Sequence, residues 1–452
     1  MFTIDELLRA TGGRLISRGK ISSVRAISID SRTINRSEAF LALKGDNFDG
    51  HAFVEAAVKK GACCVIIGPS KAVAIPKGVS VIHVRDSVKA LGDIARFHRQ
   101  RFSIPVIAVT GSNGKTTAKE MLGKVLSARF NVLKTAGTRN NHIGLPMTLL
   151  GLRNGHDCAV LELGTNHFGE ISYLAHICLA TIGVITNIGP SHLEYFGDLK
   201  GVLREKASLI GNLVKPYIAV LNSDDPLLKE YSNKKKHRAF FMNFGINNGA
   251  EFLASDIGFD KSILRFKVNK SHSFSLRTIG SQNIYNALSA IACARILGMQ
   301  YAQISKRLYD FEFPDGRLKL IRVKQKSFID DTYNSSPASL KHALAALEGF
   351  KTDGKKILVM GDMLELGKQK EFFHYDAGIE AARVCDKLIA VGELSRLALE
   401  AARKTGFDSK NLFACRNSAE ARQILFRKLF LKKEDIVLVK GSRAMKMESI
   451  LK

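Results

Sequence analysis

Two hydrophobic rhythms alternate along the chain. Short, nearly unbroken apolar runs read as strands buried on both faces, and the stretches between them repeat apolar residues every three to four positions, as amphipathic helices do. In the first hundred residues, AVKKGACCVIIG predicts a helix stopping near Gly61 and a strand over 63–67. VSVIHV adds a strand and SVKALGDIARFHRQRF a helix. The Ser103-Ile104-Pro105 connection then marks a boundary, because the residue before proline is biased away from helix. A second unit opens on VIAVT, followed by a glycine loop and the helical pattern AKEMLGKVLSARF. DCAVLELG, TIGVITNIG and PYIAVLNSDD are three more strand-to-loop junctions. From about residue 314, KSFIDD, KKILVMGD, DKLIAVGE and DIVLVKGS are apolar runs ending in acids or glycine. The pattern predicts an α/β chain of three units, 1–102, 103–313 and 314–452, the second and third built on mostly parallel sheets.

Composition supports this segmentation. A length of 452 residues suits about three domains of roughly 150 residues. The formal charge of +26 raises a nucleic-acid partner. However, the basic residues are dispersed, and KKKHR (234–238) and KLIRVKQK (319–326) lack interleaved aromatics. A polyanionic small substrate fits the charge equally, and no nucleic acid is expected. Seven scattered cysteines without a C-x-x-C pair predict buried thiols in a reducing compartment. The start MFTIDELLRATGG has no signal-peptide core, and no apolar run reaches membrane-spanning length. A monomeric cytoplasmic protein is expected.

TGSNGKTT (110–117) carries the first chemistry. The familiar G-x-x-x-x-G-K-[ST] loop would need glycine where Val109 stands. Gly111, Ser112, Asn113 and Gly114 nonetheless permit a tight turn after a strand, whose backbone N–H groups and following helix terminus face an anion. Lys115 would meet the β- and γ-phosphates, and Thr116 and Thr117 offer hydroxyls, one to a magnesium ion. The alternative is a glycine turn with a solvated lysine. Glu162 ends an apolar strand, where it could bind a hard cation or accept backbone N–H groups. His192 follows a Gly-Pro turn and suits a metal, a substrate group or a structural role. Lys206, by its local pattern, reads as a surface helix residue. Asn283 and Asn286 share a helix face and could pair with a base edge. Arg317 stands at a unit junction, available to phosphate. Asp331 ends a strand and could accept ribose hydroxyls or cap a helix.

Taken together, these segments resemble the ATP-dependent Mur ligases. The resemblance rests on DSRTINRSEAFLALKGDNFDGHAFVEAAVKKGA, TGSNGKTTAKEMLGKVL, NNHIGLPMTLL, LELGTNHFGEI, NIGPSHLEYFG, GRLKLI, IDDTYNSSPASLKHAL, VMGDMLELG and VKGSRAMKMESI. It implies an N-terminal UDP-substrate domain, a central P-loop ATPase domain and a C-terminal Rossmann-like domain. It also implies ATP and Mg²⁺, with Lys115 at the phosphates and Thr116, Glu162 and His192 at the metal. Lys206 matches the position where the family's lysine is carbamylated, against the local surface reading. Asn283 and Asn286 would then contact adenine, Arg317 a phosphate and Asp331 the ribose. Tyr333 and Asn334 belong to the C-terminal cleft signature, and Asn140, Asn141 and His142 to a substrate-facing loop. Ser31, Arg32, Phe40, Leu43 and Gly45 match the pattern around the uridine nucleotide. Within the family, DDTYN and GDMLELG resemble the member that adds D-alanyl-D-alanine to UDP-MurNAc-tripeptide. The D-N-P-R signature of the diamino-acid-adding relative is absent. Folylpolyglutamate synthase shares the ATPase core but not the N-terminal pattern.

Overall fold

Each of these apolar runs forms a strand in the computed structural model, which describes all residues other than 46–47, 70–76, 235–236, 248 and 261. Parts of the KGDNFDGH and KKKHR segments therefore lie outside the described residues. The first sheet has the order Arg14–Ser17, Ser80–His83, Cys64–Ile67, Ala39–Leu41 and Ile27–Ser28. Its last four strands are parallel and the first is antiparallel.

The second sheet has nine strands in the order Val132–Lys134, Cys158–Glu162, Val106–Thr110, Ile182–Ile185, Ile218–Asn222, Phe240–Gly245, Phe252–Asp260, Ile263–Val268 and His272–Arg277. The first seven are parallel, and the last two pairings of the sheet are antiparallel. That meander escaped the hydrophobic pattern because its strands are half exposed. Ile263–Val268 alternates between buried and accessible positions, and Phe252–Asp260 ends on five exposed residues. Val106–Thr110 is the opposite case. Ile107 and Val109 pack with Met121, Leu122 and Leu288 on one face, while Val106 and Ala108 pack with Leu161, Ile171 and Leu209 on the other. Two-sided burial explains the unbroken apolar run. Chain order reverses across this strand, which has Cys158–Glu162 on one side and Ile182–Ile185 on the other. Such a switch opens a crevice beyond the carboxyl ends of the strands.

The third sheet has the order Lys319–Val323, Lys326–Asp331, Ile436–Lys440, Lys356–Gly361, Lys387–Val391 and Leu412–Cys415, with only the first strand antiparallel. All seven cysteines are free and buried. Among the described residues, no helix is long and apolar enough to cross a membrane.

The first two sheets are joined through Arg99, the last residue of the helix Ser87–Arg99. Its buried guanidinium donates to the carbonyls of Cys178, Phe102 and Ile104. It thereby ties this helix to the end of Glu170–Cys178. Earlier in the same helix, Gly92 lies against Tyr173, whose hydroxyl would be 2.3 Å from an added Cβ. Replacing Arg99 by methionine leaves several carbonyls without a donor, each costing about 1–3 kcal/mol when buried. A lower urea midpoint for Arg99→Met than for Arg96→Met, followed by circular dichroism, is the expected outcome.

Candidate active site

The loop after Val106–Thr110 is shaped by two glycines that no other residue could replace without strain. Gly111 has φ +146° and Gly114 φ +80°. A Cβ on Gly111 would stand 1.9 Å from Thr186 Oγ1, and one on Gly114 2.5 Å from Asn286 Oδ1. Helix Lys115–Leu126 begins at once, so its first N–H groups have no partner four residues back and face the cleft. The anion nest is narrower than the glycine spacing suggests. Ser112 N donates to Asn187 O at 2.9 Å and Asn113 N to Asn187 Oδ1 at 3.0 Å. Two loop donors are thus already used by Asn187, a residue the sequence pattern did not single out. Lys115 Nζ folds back onto Gly111 O at 2.7 Å and Ser112 O at 3.3 Å. Burial lowers its pKa and Glu162 opposes that effect.

Glu162, 1% exposed, is the loop's carboxylate neighbour. Its Oε1 accepts from Thr116 Oγ1 at 3.2 Å and from Asn140 Nδ2 at 2.8 Å. Its Oε2 is buried and has no hydrogen-bond partner among the described residues. A buried carboxylate oxygen left without a donor is costly and is the kind of hard ligand a magnesium ion takes. Its own N–H donates to Thr135 Oγ1 at 3.1 Å. Lys119, fully buried, donates to Thr135 O at 3.0 Å and Gly137 O at 2.9 Å. The loop leading to Asn140, Asn141 and His142 is therefore pinned from beneath.

Lys206 corrects the local reading of a surface lysine, since it is only 1% exposed. Its helix Leu199–Gly211 turns this face inward. Burial, reinforced by Lys115, pushes its pKa well below the ordinary lysine value, which favours the neutral amine. The preceding Glu205, also buried, accepts from Gly169 N at 2.7 Å, Ile171 N at 2.7 Å and Thr165 Oγ1 at 3.3 Å. It thereby caps the helix Glu170–Cys178. His192 has the left-handed φ of +51°, unusual for a bulky residue. Its Nδ1 lies 2.6 Å from Glu365 Oε2, an ion-pair distance without hydrogen-bond alignment. Glu365 and Leu318 also line the cleft with positive φ, and backbone strain of this kind concentrates at functional sites. Among the described residues, no three His, Cys, Asp or Glu side chains gather closely enough to hold a metal ion by themselves.

The third sheet supplies the facing wall. Asp331 and Lys440 are direct partners at the ends of two parallel strands, and their side chains form a buried ion pair. Asp331 Oδ1 also accepts from Leu318 N at 3.0 Å, and Lys440 Nζ donates to Asn334 O at 3.0 Å. Arg317 donates to Thr116 Oγ1 at 3.3 Å and lies 3.9 Å from the centre of the Tyr333 ring. Burial lowers its pKa, yet a guanidinium remains charged. Ser336, the N-cap of Pro337–Gly349, donates to Asn113 Oδ1 at 2.9 Å and so joins the two walls. Asn286 Nδ2 donates to Asn283 Oδ1 at 3.0 Å, and Asn283 Nδ2 to Thr278 Oγ1 at 2.9 Å. Part of the hydrogen-bonding capacity of both amides is thus used internally.

A cleft of about 770 Å³ collects Ser112 to Thr117, Asn140, Asn141, His142, Glu162, His192, Asn283, Asn286, Arg317, Asp331, Tyr333 and Asn334. Gly111 and Lys206 do not line it. The N-terminal candidates are elsewhere. Phe40, 1% exposed, and Leu43 are core residues of the first sheet, whereas Arg32 is exposed and pairs with Asp30. Ser31 is half-buried and Gly45 exposed. Lys440, Ser336, Asn187, Glu365 and Arg443 were not anticipated. Lys440 had one signal, its place at the end of an apolar run. Asn187, Ser336, Glu365 and Arg443 lie inside the quoted motifs, but their roles depend on contacts between separate sheets or loops.

Three family descriptions match consecutive parts of the chain: "Mur ligase family, catalytic domain" over residues 23–99, "Mur ligase middle domain" over 109–294 and "Mur ligase, glutamate ligase domain" over 316–443. The chain is 34% identical over 433 residues to the UDP-N-acetylmuramoyl-tripeptide–D-alanyl-D-alanine ligase of Bacillus subtilis, covering 95% of this chain and 93% of that one. It is 32% identical over 459 residues to the protein of the same name from Escherichia coli, covering 100% and 97%. Among solved structures, MurF from Acinetobacter baumannii superposes with a TM-score of 0.90 at 34% identity, covering 99% of this chain and 97% of that one. MurF ligase from Thermotoga maritima in complex with ADP gives 0.84 at 28% identity, covering 95% and 96%.

Gly111→Ala tests the geometry of the loop. The added methyl meets Thr186 at a forbidden distance, and relieving the clash or the strained φ costs about 1–3 kcal/mol. A lower thermal midpoint, together with weakened ADP binding in calorimetry, is expected. Ser127→Ala, on an exposed helix end, should change neither.

Proposed function

The chain belongs to the Mur ligase family, and we infer that it joins D-alanyl-D-alanine to UDP-N-acetylmuramoyl-tripeptide in an ATP-driven step of peptidoglycan precursor synthesis. It is an amide-bond-forming ligase that uses ATP. The observation that carries the reading is the cleft itself, where the carboxyl ends of two parallel sheets meet around the phosphate loop. Full-length likeness to ligases of that name supports the choice of substrates.

The tripeptide's carboxylate is a poor acylating agent because its leaving group would be oxide. Its attack on the ATP γ-phosphate gives an acyl phosphate and ADP. The neutral amine of the dipeptide then attacks the acyl carbon, and phosphate departs from the tetrahedral intermediate. We assign Lys115 and the free N–H groups at the start of Lys115–Leu126 to the phosphates, with Arg317 stabilising the charge that develops in transfer. Asn283 and Asn286 are assigned to adenine and Asp331, oriented by Lys440, to the ribose. Asn140, Asn141, His142, Tyr333 and Asn334 are assigned to the peptide substrate, and Ser31, Arg32, Phe40, Leu43 and Gly45 to the uridine nucleotide. For Phe40 and Leu43, burial limits that role to shaping the backbone around the nucleotide. No protein nucleophile is required. Positioning and exclusion of water carry most of the rate.

Magnesium fits the donor set around the orphaned Glu162 Oε2. Thr116, Glu162, His192 and a carbamylated Lys206 would hold it, and when bound it supplies charge neutralisation on the phosphates. Burial equips Lys206 for the modification. Its neutral amine would add carbon dioxide and release one proton, replacing an uncharged group by an anion where no three His, Cys, Asp or Glu side chains gather among the described residues. His192 would have to share or release Glu365. We set the domain limits at 1–102, 103–313 and 314–452, which gives each domain one of the three larger sheets. The reading places a monomeric enzyme in the cytoplasm, with no nucleic-acid partner.

Phosphate release in the presence of ATP, Mg²⁺ and UDP-MurNAc-tripeptide should depend on D-alanyl-D-alanine and not on a diamino acid or L-glutamate. Turnover that ignores D-alanyl-D-alanine would refute the assignment. Lys206→Ala should reduce kcat by about 100-fold or more, as loss of a principal electrostatic group does. A short carboxylate such as acetate should restore part of the rate. Near-normal turnover by the variant would refute the metal-site role.

A further inference from the structure

The reaction proposed above admits a dipeptide whose two ends make opposite demands. Its amine must become neutral and reach the acyl carbon, while its carboxylate remains an anion. A carboxylate drawn out of water needs a matched cation. The cleft offers few. Lys115 is folded onto its own loop, Arg317 points at Thr116, and Lys440 is held by Asp331 and Asn334. Desolvation at the cleft and nearby Lys440 lower the pKa of His342, although the residue as a whole is exposed. His192 is engaged by Glu365.

Arg443 remains. Its side chain is 62% exposed and its single ion-pair partner among the described residues is Glu448, at 3.1 Å from Nη1. A guanidinium carries five donors in a planar fork suited to a carboxylate, so most of its capacity is open. Its central carbon lies 5.7 Å from the centre of the Tyr333 ring, the same ring that carries Arg317 at 3.9 Å. Both guanidinium groups thus lie near one aromatic side chain. The loop bearing Arg443 is rigidly set. Ser442 N donates to Asp362 O at 3.1 Å, and Leu364 N donates to Ser442 Oγ at 2.9 Å. Asp362 is itself fixed by Ser395 N and Oγ, both at 2.7 Å. Leu364 and Ala444, on these same loops, add small apolar surface to the cleft, suited to methyl side chains.

We propose that Arg443 recognises the C-terminal carboxylate of the incoming dipeptide and makes the enzyme selective for a free carboxyl end. The proposal rests on the ligase reading, and the test separates the two. Initial rates of phosphate release are measured with D-alanyl-D-alanine and with its C-terminal amide, using wild type, Arg443→Gln and Arg443→Lys. Wild type should prefer the carboxylate. In Arg443→Gln, kcat/KM for D-alanyl-D-alanine should fall by about 10- to 100-fold, the worth of a charge-assisted pair. Its rate with the amide and its KM for ATP and UDP-MurNAc-tripeptide should stay within about threefold of wild type, a change small against that pair. Arg443→Lys, which keeps the charge without the fork, should retain part of the preference. ADP binding measured by calorimetry reports whether each variant is folded. The proposal is overturned if wild type does not distinguish carboxylate from amide, or if Arg443→Gln retains the full preference. It is also overturned if the KM change falls on the UDP substrate, or if Arg443→Lys behaves as the glutamine variant does. Wild-type turnover that ignores both dipeptides would instead remove the ligase reading.

Discussion

Asn113 is bonded on every side, and the shape of the cleft follows from that. Its N–H donates to Asn187 Oδ1, its carbonyl accepts from Thr186 Oγ1 at 2.6 Å and Asn187 Nδ2 at 3.1 Å, and its amide oxygen accepts from Ser336. The first three contacts lie within the central sheet, while the fourth crosses to the C-terminal one. A loop that must present N–H groups to phosphate is thereby held by side chains from both walls. Gly111 makes the approach possible, because any Cβ there would occupy the space of the Thr186 hydroxyl.

That constraint concentrates charge. Lys206 and Lys440 are withdrawn from water and Lys115 and Arg317 are half-buried, and desolvation lowers the pKa of each. Glu162, Glu170, Asp331 and Glu365 line the same cleft, with Asp331 paired to Lys440 and Glu365 beside His192. In a low-dielectric cleft, cations fixed around the phosphate loop favour an anionic ligand, and a triphosphate is such a ligand. Arg443 differs from this group by remaining at the exposed edge of the cleft.

The sequence disclosed the strands that are buried on both sides, since double burial leaves no polar position to break the run. It concealed the meander from Phe252 to Arg277, whose alternating pattern contains no continuous apolar stretch. It also misrepresented Lys206 locally. A lysine within VLREKASLI has the pattern of an exposed position, and only packing of that helix against the central sheet makes it a buried amine. Asp331 was legible as a strand-end acid, but its pairing with Lys440 depends on register between strands more than a hundred residues apart.

What the sequence determined by itself was the order of elements, the two-glycine phosphate loop and the identity of the groups available to it. These are local properties, set by side-chain period, backbone freedom and chemical type. Tertiary structure alone decided which donors of the loop stay free, which carboxylate oxygen lacks a partner and which cation remains open. Each of those outcomes is a competition between groups distant in sequence, and it is settled only when the carboxyl ends of two sheets are brought together.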